Sequence, residues 1–272
     1  MFENIFQYAF IVRGLEAGIL VAIIAPAIGI FLVLRRYSLI ADTLAHVSLA
    51  GIAIGIFFGI NPVLTALATA VAASLGVEKL RVSKKVYGES ALALFLSGSL
   101  ALAVVILSLG HGLNSSLFSY LFGSIVTVTA SDVRIISILA VIVISILAVF
   151  YKPLVYVTFD EEAAKVSGIS TRLINTILII LAAMTVSLAI PIVGVLLISA
   201  LIVIPVITAL QFRKSFIHTI IYAEIISLLS VVSGIFASFY FNLSTGGTIV
   251  LVMLAIFSSV FLLKNIRGTV RY

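Results

Sequence analysis

Nine long apolar runs joined by short polar segments fill most of this 272-residue chain, and they leave it few ways to fold. They fall at about 14–34, 39–60, 63–77, 90–109, 133–150, 173–190, 193–211, 217–241 and 248–263. A helix of about 20 apolar residues crosses the hydrocarbon core of a bilayer. Hydrophobic residues make up 63% of the chain and charged ones 10%, against roughly 45–50% and 25% in soluble domains. Too little polar surface remains for water to be the solvent, and in lipid every backbone polar group must be satisfied internally. The period-two alternation of a barrel strand is missing. The chain therefore reads as an all-α integral membrane protein, a polytopic bundle of eight or nine transmembrane helices forming a single domain over residues 1–272. The lower count applies if 39–60 or 63–77 is re-entrant.

Lys and Arg supply the sidedness, because basic loops stay on the cytoplasmic side. They collect at Arg35 and Arg36; at Lys79, Arg81, Lys84 and Lys85; at Lys152, Lys165 and Arg172; at Arg213 and Lys214; and at Lys264, Arg267 and Arg271. Only Arg13 and Arg134 fall elsewhere. Every second connection is thus basic, which with nine crossings predicts an external N-terminus and a cytoplasmic C-terminus. Segments 61–62, 111–132 and 242–247 are then external. The net charge of +6 is explained by topology, and no nucleic-acid partner is expected. Met1-Phe2-Glu3-Asn4 lacks the basic leader of a secretory signal, so the first apolar run is expected to be retained as an anchor. The chain has no cysteine, so metal chemistry falls to His, Asp, Glu or backbone oxygen. It has no G-x-x-x-x-G-K-[ST] loop either, so any ATP hydrolysis belongs to another polypeptide.

Two constellations stand out. In Arg35-Arg36-Tyr37-Ser38-Leu39-Ile40-Ala41-Asp42-Thr43-Leu44-Ala45-His46, a helix puts Asp42 and His46 four apart on one face. A carboxylate oxygen and an imidazole nitrogen so placed can hold one cation between them. An ionised Asp in a membrane costs about 2.5–3.5 kcal/mol on insertion scales and so needs a partner or a function. Three readings follow: a divalent-cation pair; Asp42 paired with Arg35 or Arg36 beside a packed His46; or a proton relay through Ser38, Asp42 and His46. The second constellation is Asp160-Glu161-Glu162-Ala163-Ala164-Lys165, closed by Gly168. Asp160 can cap a helix, Glu161 and Glu162 suit its positive pole, Lys165 suits the other, and Gly168 can end it. Such a helix is too short to span or to stand alone, and it packs either on its own loops or on a partner. Elsewhere, His218 reads as interfacial and Glu224 as turned into the bundle, six residues apart on different helix faces. His111 reads as an external loop residue, and Pro191 and Pro205 with Gly194 as a break or kink in the sixth and seventh spans.

Four stretches in order carry a resemblance. They are Arg35-Arg36-Tyr37-Ser38 with Asp42-Thr43-Leu44-Ala45-His46, the acidic Ala-Ala helix before Gly168, the run from Val193-Gly194 to Ile204-Pro205, and Ser244-Thr245-Gly246-Gly247-Thr248. Together, over about residues 14–263, they resemble the permease subunits of prokaryotic zinc/manganese/iron ABC importers, distant relatives of vitamin B12 and haem importer permeases. The resemblance implies a type II ABC importer permease in the cell membrane, working as a homodimer on two cytoplasmic ABC ATPase subunits. Metal arrives from an extracytoplasmic metal-binding protein. It also implies that Asp42 and His46 lie on the metal path. Asp160, Glu161, Glu162, Ala163, Ala164, Lys165 and Gly168, within about 159–168, would form the coupling helix seated on the ATPase. The cargo is Zn, Mn or Fe, no cofactor is bound permanently, and the permease itself is not an enzyme. The competing class is a proton- or sodium-coupled secondary cation transporter.

Overall fold

A computed structural model describes residues 7–83, 87–109 and 114–269; Lys84, Lys85, His111 and Arg271 lie outside the described residues. The helices are α1 (Ala9–Leu34), α2 (Ser38–Phe58), α3 (Pro62–Val82), α4 (Gly88–Leu109), α5 (Asn114–Phe122), α6 (Ala130–Phe159), α7 (Glu161–Val166), α8 (Thr171–Val193), α9 (Ile198–Leu210), α10 (Phe216–Phe241) and α11 (Thr245–Thr269). Eight of them are long and apolar enough to cross a membrane. The exception among the nine sequence candidates is 193–211. It is realised as the 13-residue α9, which at 1.5 Å per residue rises only about 20 Å. The chain ahead of α9 is irregular because Gly194 takes φ +86 at the end of α8.

Side-chain contacts sort the helix ends into two faces. On one, the Phe216 ring at the start of α10 meets Phe31, Tyr151 and Phe159 at 5.6, 6.2 and 5.7 Å, joining the ends of α1 and α6. Lys264 near the end of α11 donates to the Gln211 carbonyl just past α9 and lies 4.6 Å over Phe212. On the other face, Tyr8 and Phe10 pack on Phe239 at 5.8 and 6.4 Å. There the Ser244 hydroxyl donates to the Phe122 carbonyl at 3.1 Å. The α8–α9 break is held on this second face too, where Val195 N–H donates to Tyr120 O at 2.9 Å and Ser124 N–H to Pro191 O at 3.2 Å. So α9 with its lead-in segment does run from face to face, and the alternation drawn from the basic residues holds as geometry.

Helices α1 and α8 form the centre, with Val21, Ile24, Ile28 and Phe31 packed among Leu178, Ala182, Val186 and Ile190, all fully buried. By contrast, α4 and α6 expose most of their apolar surface and form the outside of the bundle. Helix α2 is held against α3 by small residues. At Gly51 and Gly55 the two backbones come so close that a Cβ would overlap Thr65, Ala66 or Thr69. Small residues that let backbones touch are the usual basis of helix association in lipid, where no hydrophobic force separates one helix from its surroundings.

Candidate functional site

Helix α2 begins only three residues after α1 ends. Arg36 bridges the joint in the left-handed region at φ +58, and Tyr37 N–H donates to Leu32 O at 2.7 Å. The joint is therefore stiff, and α2 leaves it carrying Ser38, Asp42 and His46 in successive turns. Asp42 Oδ1 lies 3.9 Å from His46 Nε2, with side chains 37% and 15% exposed, so the pair faces an opening rather than a sealed core. That separation is too long for a hydrogen bond. It is close to the spacing of about 3.4 Å between two ligands of a tetrahedral ion with bonds of about 2.1 Å. His46 Nδ1 is buried and has no hydrogen-bond partner. Among the described residues, no third His, Cys, Asp or Glu joins the pair within metal-holding reach.

Neither arginine of the joint is ion-paired with Asp42 among the described residues, so that one of the three readings finds no support. Arg35 turns the other way. It donates through Nη1 to Asn175 Oδ1 on α8 and through Nη2 to Glu161 Oε2 on α7 at 2.9 Å. Asn175 Nδ2 closes the ring by donating to Glu161 Oε1 at 3.2 Å. Burial lowers the proton affinity of the Arg35 guanidinium, and the adjacent Glu161 carboxylate partly restores it. Arg35 and Arg81 both stack on Tyr37, at 5.0 and 4.7 Å, while Arg81 donates to the Tyr37 hydroxyl and makes two bonds of 2.9 Å to Glu78. Two arginines and two glutamates are thus bonded together at the basic face of the bundle.

Helix α7 has the local design written in its residues. The Asp160 carboxylate accepts from Ala163 N–H at 2.8 Å, Ala164 is fully buried, and Gly168 at φ +84 lets Ile169 N–H return to Ala164 O at 3.0 Å. Glu162 and Lys165 are outside the ring of contacts around Glu161, and Val166 stands 90% exposed in the last turn. His218 is exposed and bonded to Ser215 at 2.8 Å, and Glu224 is half-buried in α10, each apart from the α2 pair. The contribution of Asn175 had no signal in the sequence. A lone amide inside the apolar run of α8 gains meaning only when Arg35, 140 positions earlier, is brought beside it.

A family model described as the ABC 3 transport family matches residues 7–264. The chain is 30% identical to "Manganese transport system membrane protein MntC" of Listeria monocytogenes over 266 residues, covering 98% of this chain and 95% of that protein. It is 31% identical to "High-affinity zinc uptake system membrane protein ZnuB" of Haemophilus influenzae over 251 residues, covering 92% and 94%. Among solved structures, a chain of PsaBC from Streptococcus pneumoniae in complex with Fab superposes with a TM-score of 0.86 at 26% identity, covering 95% of this chain and 93% of that one.

Proposed function

Since the chain belongs to the ABC 3 transport family, we propose that it is the membrane permease of an ATP-driven importer for divalent metal ions. Zinc and manganese are the cargoes named for its relatives. A single observation carries the site: a carboxylate and an imidazole 3.9 Å apart on α2, half open and without a third protein ligand among the described residues. An incomplete shell suits a carrier, since conduction requires that an ion bind and also leave. On this reading the remaining positions belong to water or to the matching pair of a second copy, the chain working as a homodimer with the path along its axis. Iron stays in the same ligand class, because Asp and His suit all three metals.

On this reading the basic face is cytoplasmic. Helix α7, with Asp160 to Lys165 and Gly168, seats there on a separate ABC ATPase that hydrolyses the ATP. The opposite face, around Phe122 and Ser244, receives an extracytoplasmic metal-binding protein, and the exposed surfaces of α4 and α6 lie in lipid. An ion-coupled secondary transporter would need further ionisable groups beside Asp42 and His46, and among the described residues no third His, Asp or Glu lies within metal-holding reach of them.

The test is metal uptake into vesicles holding permease, ATPase and binding protein. Asp42→Ala and His46→Ala should each lower uptake by roughly 10–100-fold, the scale on which loss of supporting groups alone weakens metal sites, with the complex still assembled. Full uptake by the assembled double variant would remove Asp42 and His46 from the path. Uptake by the permease alone under a proton or sodium gradient would favour the secondary transporter.

A further inference from the structure

The ring formed by Arg35, Glu161 and Asn175 does more than fill a corner of the bundle. Glu161 is the first residue of α7, a six-residue helix too short to hold its own position. Asn175 lies in the first turns of α8, and Arg35 ends α1. Each carboxylate oxygen of Glu161 takes a different donor, one from Arg35 and one from Asn175, and the two donors are themselves bonded. A planar guanidinium fork held on two acceptors fixes orientation as well as distance, which a lysine could not do. The Arg35 side chain is only 6% exposed while that of Glu161 is 48% exposed. The ring is therefore anchored in the bundle at one end and open to the surface at the other.

From Arg35 the connection continues without a soft joint. Arg35, Arg36 and Tyr37 link α1 to α2, and Asp42 stands one turn beyond the start of α2 at Ser38. Tyr37 is clamped between Arg35 and Arg81, which ties the same joint to α3. We propose that Arg35 is a positioning residue for transport: it links the coupling helix to the foot of the helix that carries Asp42 and His46, so that displacement of α7 by the ATPase moves that foot. This rests on the reading of α7 as the ATPase contact. It adds a residue that lies outside α7 and outside the Asp42–His46 pair.

The experiment uses the whole complex of permease, ATPase and binding protein in vesicles and reads metal imported per ATP hydrolysed. Arg35→Gln should keep the ATPase on the permease yet lower that ratio by about tenfold, within the usual span of coupling between sites. Arg35→Lys should fail in the same direction, since it lacks the fork. The exchanged pair Arg35→Glu with Glu161→Arg should recover part of the ratio, an outcome that loss of packing alone does not give. An unaltered ratio in Arg35→Gln overturns the inference. So does loss of the ATPase from both Arg35→Gln and the exchanged pair, because the contact would then only scaffold α7. Val166→Asp, which alters the exposed tip of α7 and leaves the ring alone, separates the two claims. Release of the ATPase by Val166→Asp supports the coupling reading whatever Arg35→Gln does. Its retention removes that reading and the inference with it.

Discussion

Replacing Gly51 by alanine tests whether α2, the helix of Asp42 and His46, depends on backbone contact with α3. The added Cβ would lie 2.6 Å from Thr65 O and 2.8 Å from Ala66 Cα, and it would also overlap Thr69 Oγ1. Two of these neighbours are backbone. The third cannot swing away freely, because the Thr69 hydroxyl donates to Thr65 O at 2.9 Å and to Ala66 O at 3.0 Å. The helices must separate by nearly an ångström locally, and overpacking of this kind costs about 1–3 kcal/mol. Alanine returns roughly 0.5–1 kcal/mol through its better helix propensity, leaving a net loss of about 1 kcal/mol at mid-range. Gly98 in α4 is the matched control, since a Cβ there meets nothing within 4 Å, and Gly98→Ala should be stabilising by roughly 0.5–1 kcal/mol. The assay is thermal loss of the monodisperse species in detergent, with both variants run at one heating rate because such transitions depend on rate. Gly51→Ala should melt below the parent and Gly98→Ala at or above it, and uptake should fall only in the first. A Gly51→Ala protein at least as heat-stable as the parent would refute the close-contact account of α2.

A second glycine pair separates strain from crowding. Gly194→Ala adds backbone strain of roughly 1–3 kcal/mol, since φ +86 with ψ 157 is essentially confined to glycine, to an overlap with the 121–123 backbone, and should abolish recovery of folded protein. Gly59→Ala, at φ +69 in open space, should show only the strain, as a modest fall in melting temperature. Asp160→Ala should cost about 0.5–2 kcal/mol of local helix stability through loss of the cap, seen as weaker co-purification of the ATPase, and Asp160→Asn should largely restore it. Orientation is read by thiol labelling, because the chain has no native cysteine. Lys214→Cys and Leu243→Cys sit exposed at opposite ends of α10, and an impermeant reagent applied to intact cells should reach only the second.

Helix positions could be read from the sequence because hydrocarbon enforces them: a run of apolar residues has no alternative to a helix in lipid. Helix limits were less legible, for reasons specific to single residues. Helix α1 starts ahead of the apolar run: Ala9 to Val12 are apolar too, and Arg13, which interrupts the pattern, turns its Nε back to donate to Ala9 O at 3.1 Å. Helix α3 passes 77 because Glu78 and Arg81, which break the apolar pattern, bond each other along the helix. Helix α6 continues through Lys152 and Pro153 to Phe159, so that one 30-residue element covers a run that had seemed to end at 150. The interruption before α9 was invisible to hydropathy, since Gly194 to Leu197 are as apolar as their surroundings and only the backbone torsion at Gly194 sets them apart.

The candidate site divides along the same line, between what is local in sequence and what is not. Asp42 with His46, and Asp160 with Ala163, lie within one helical turn, so spacing alone places their side chains and the 3.9 Å and 2.8 Å separations follow. Arg35 could not be placed this way. Beside Asp42 in sequence it looked like that residue's counter-ion, but the tight joint at Arg36 turns the chain so that Arg35 closes the end of α1 while Asp42 rises with α2. Its guanidinium then meets Glu161 and Asn175, 126 and 140 positions away. That choice leaves His46, at 3.9 Å, as the one ion-pair partner of Asp42 among the described residues, and an acid within a spanning helix needs a partner or a function. By satisfying Arg35 elsewhere, the fold leaves Asp42 available for the cation that the proposed function assigns to it.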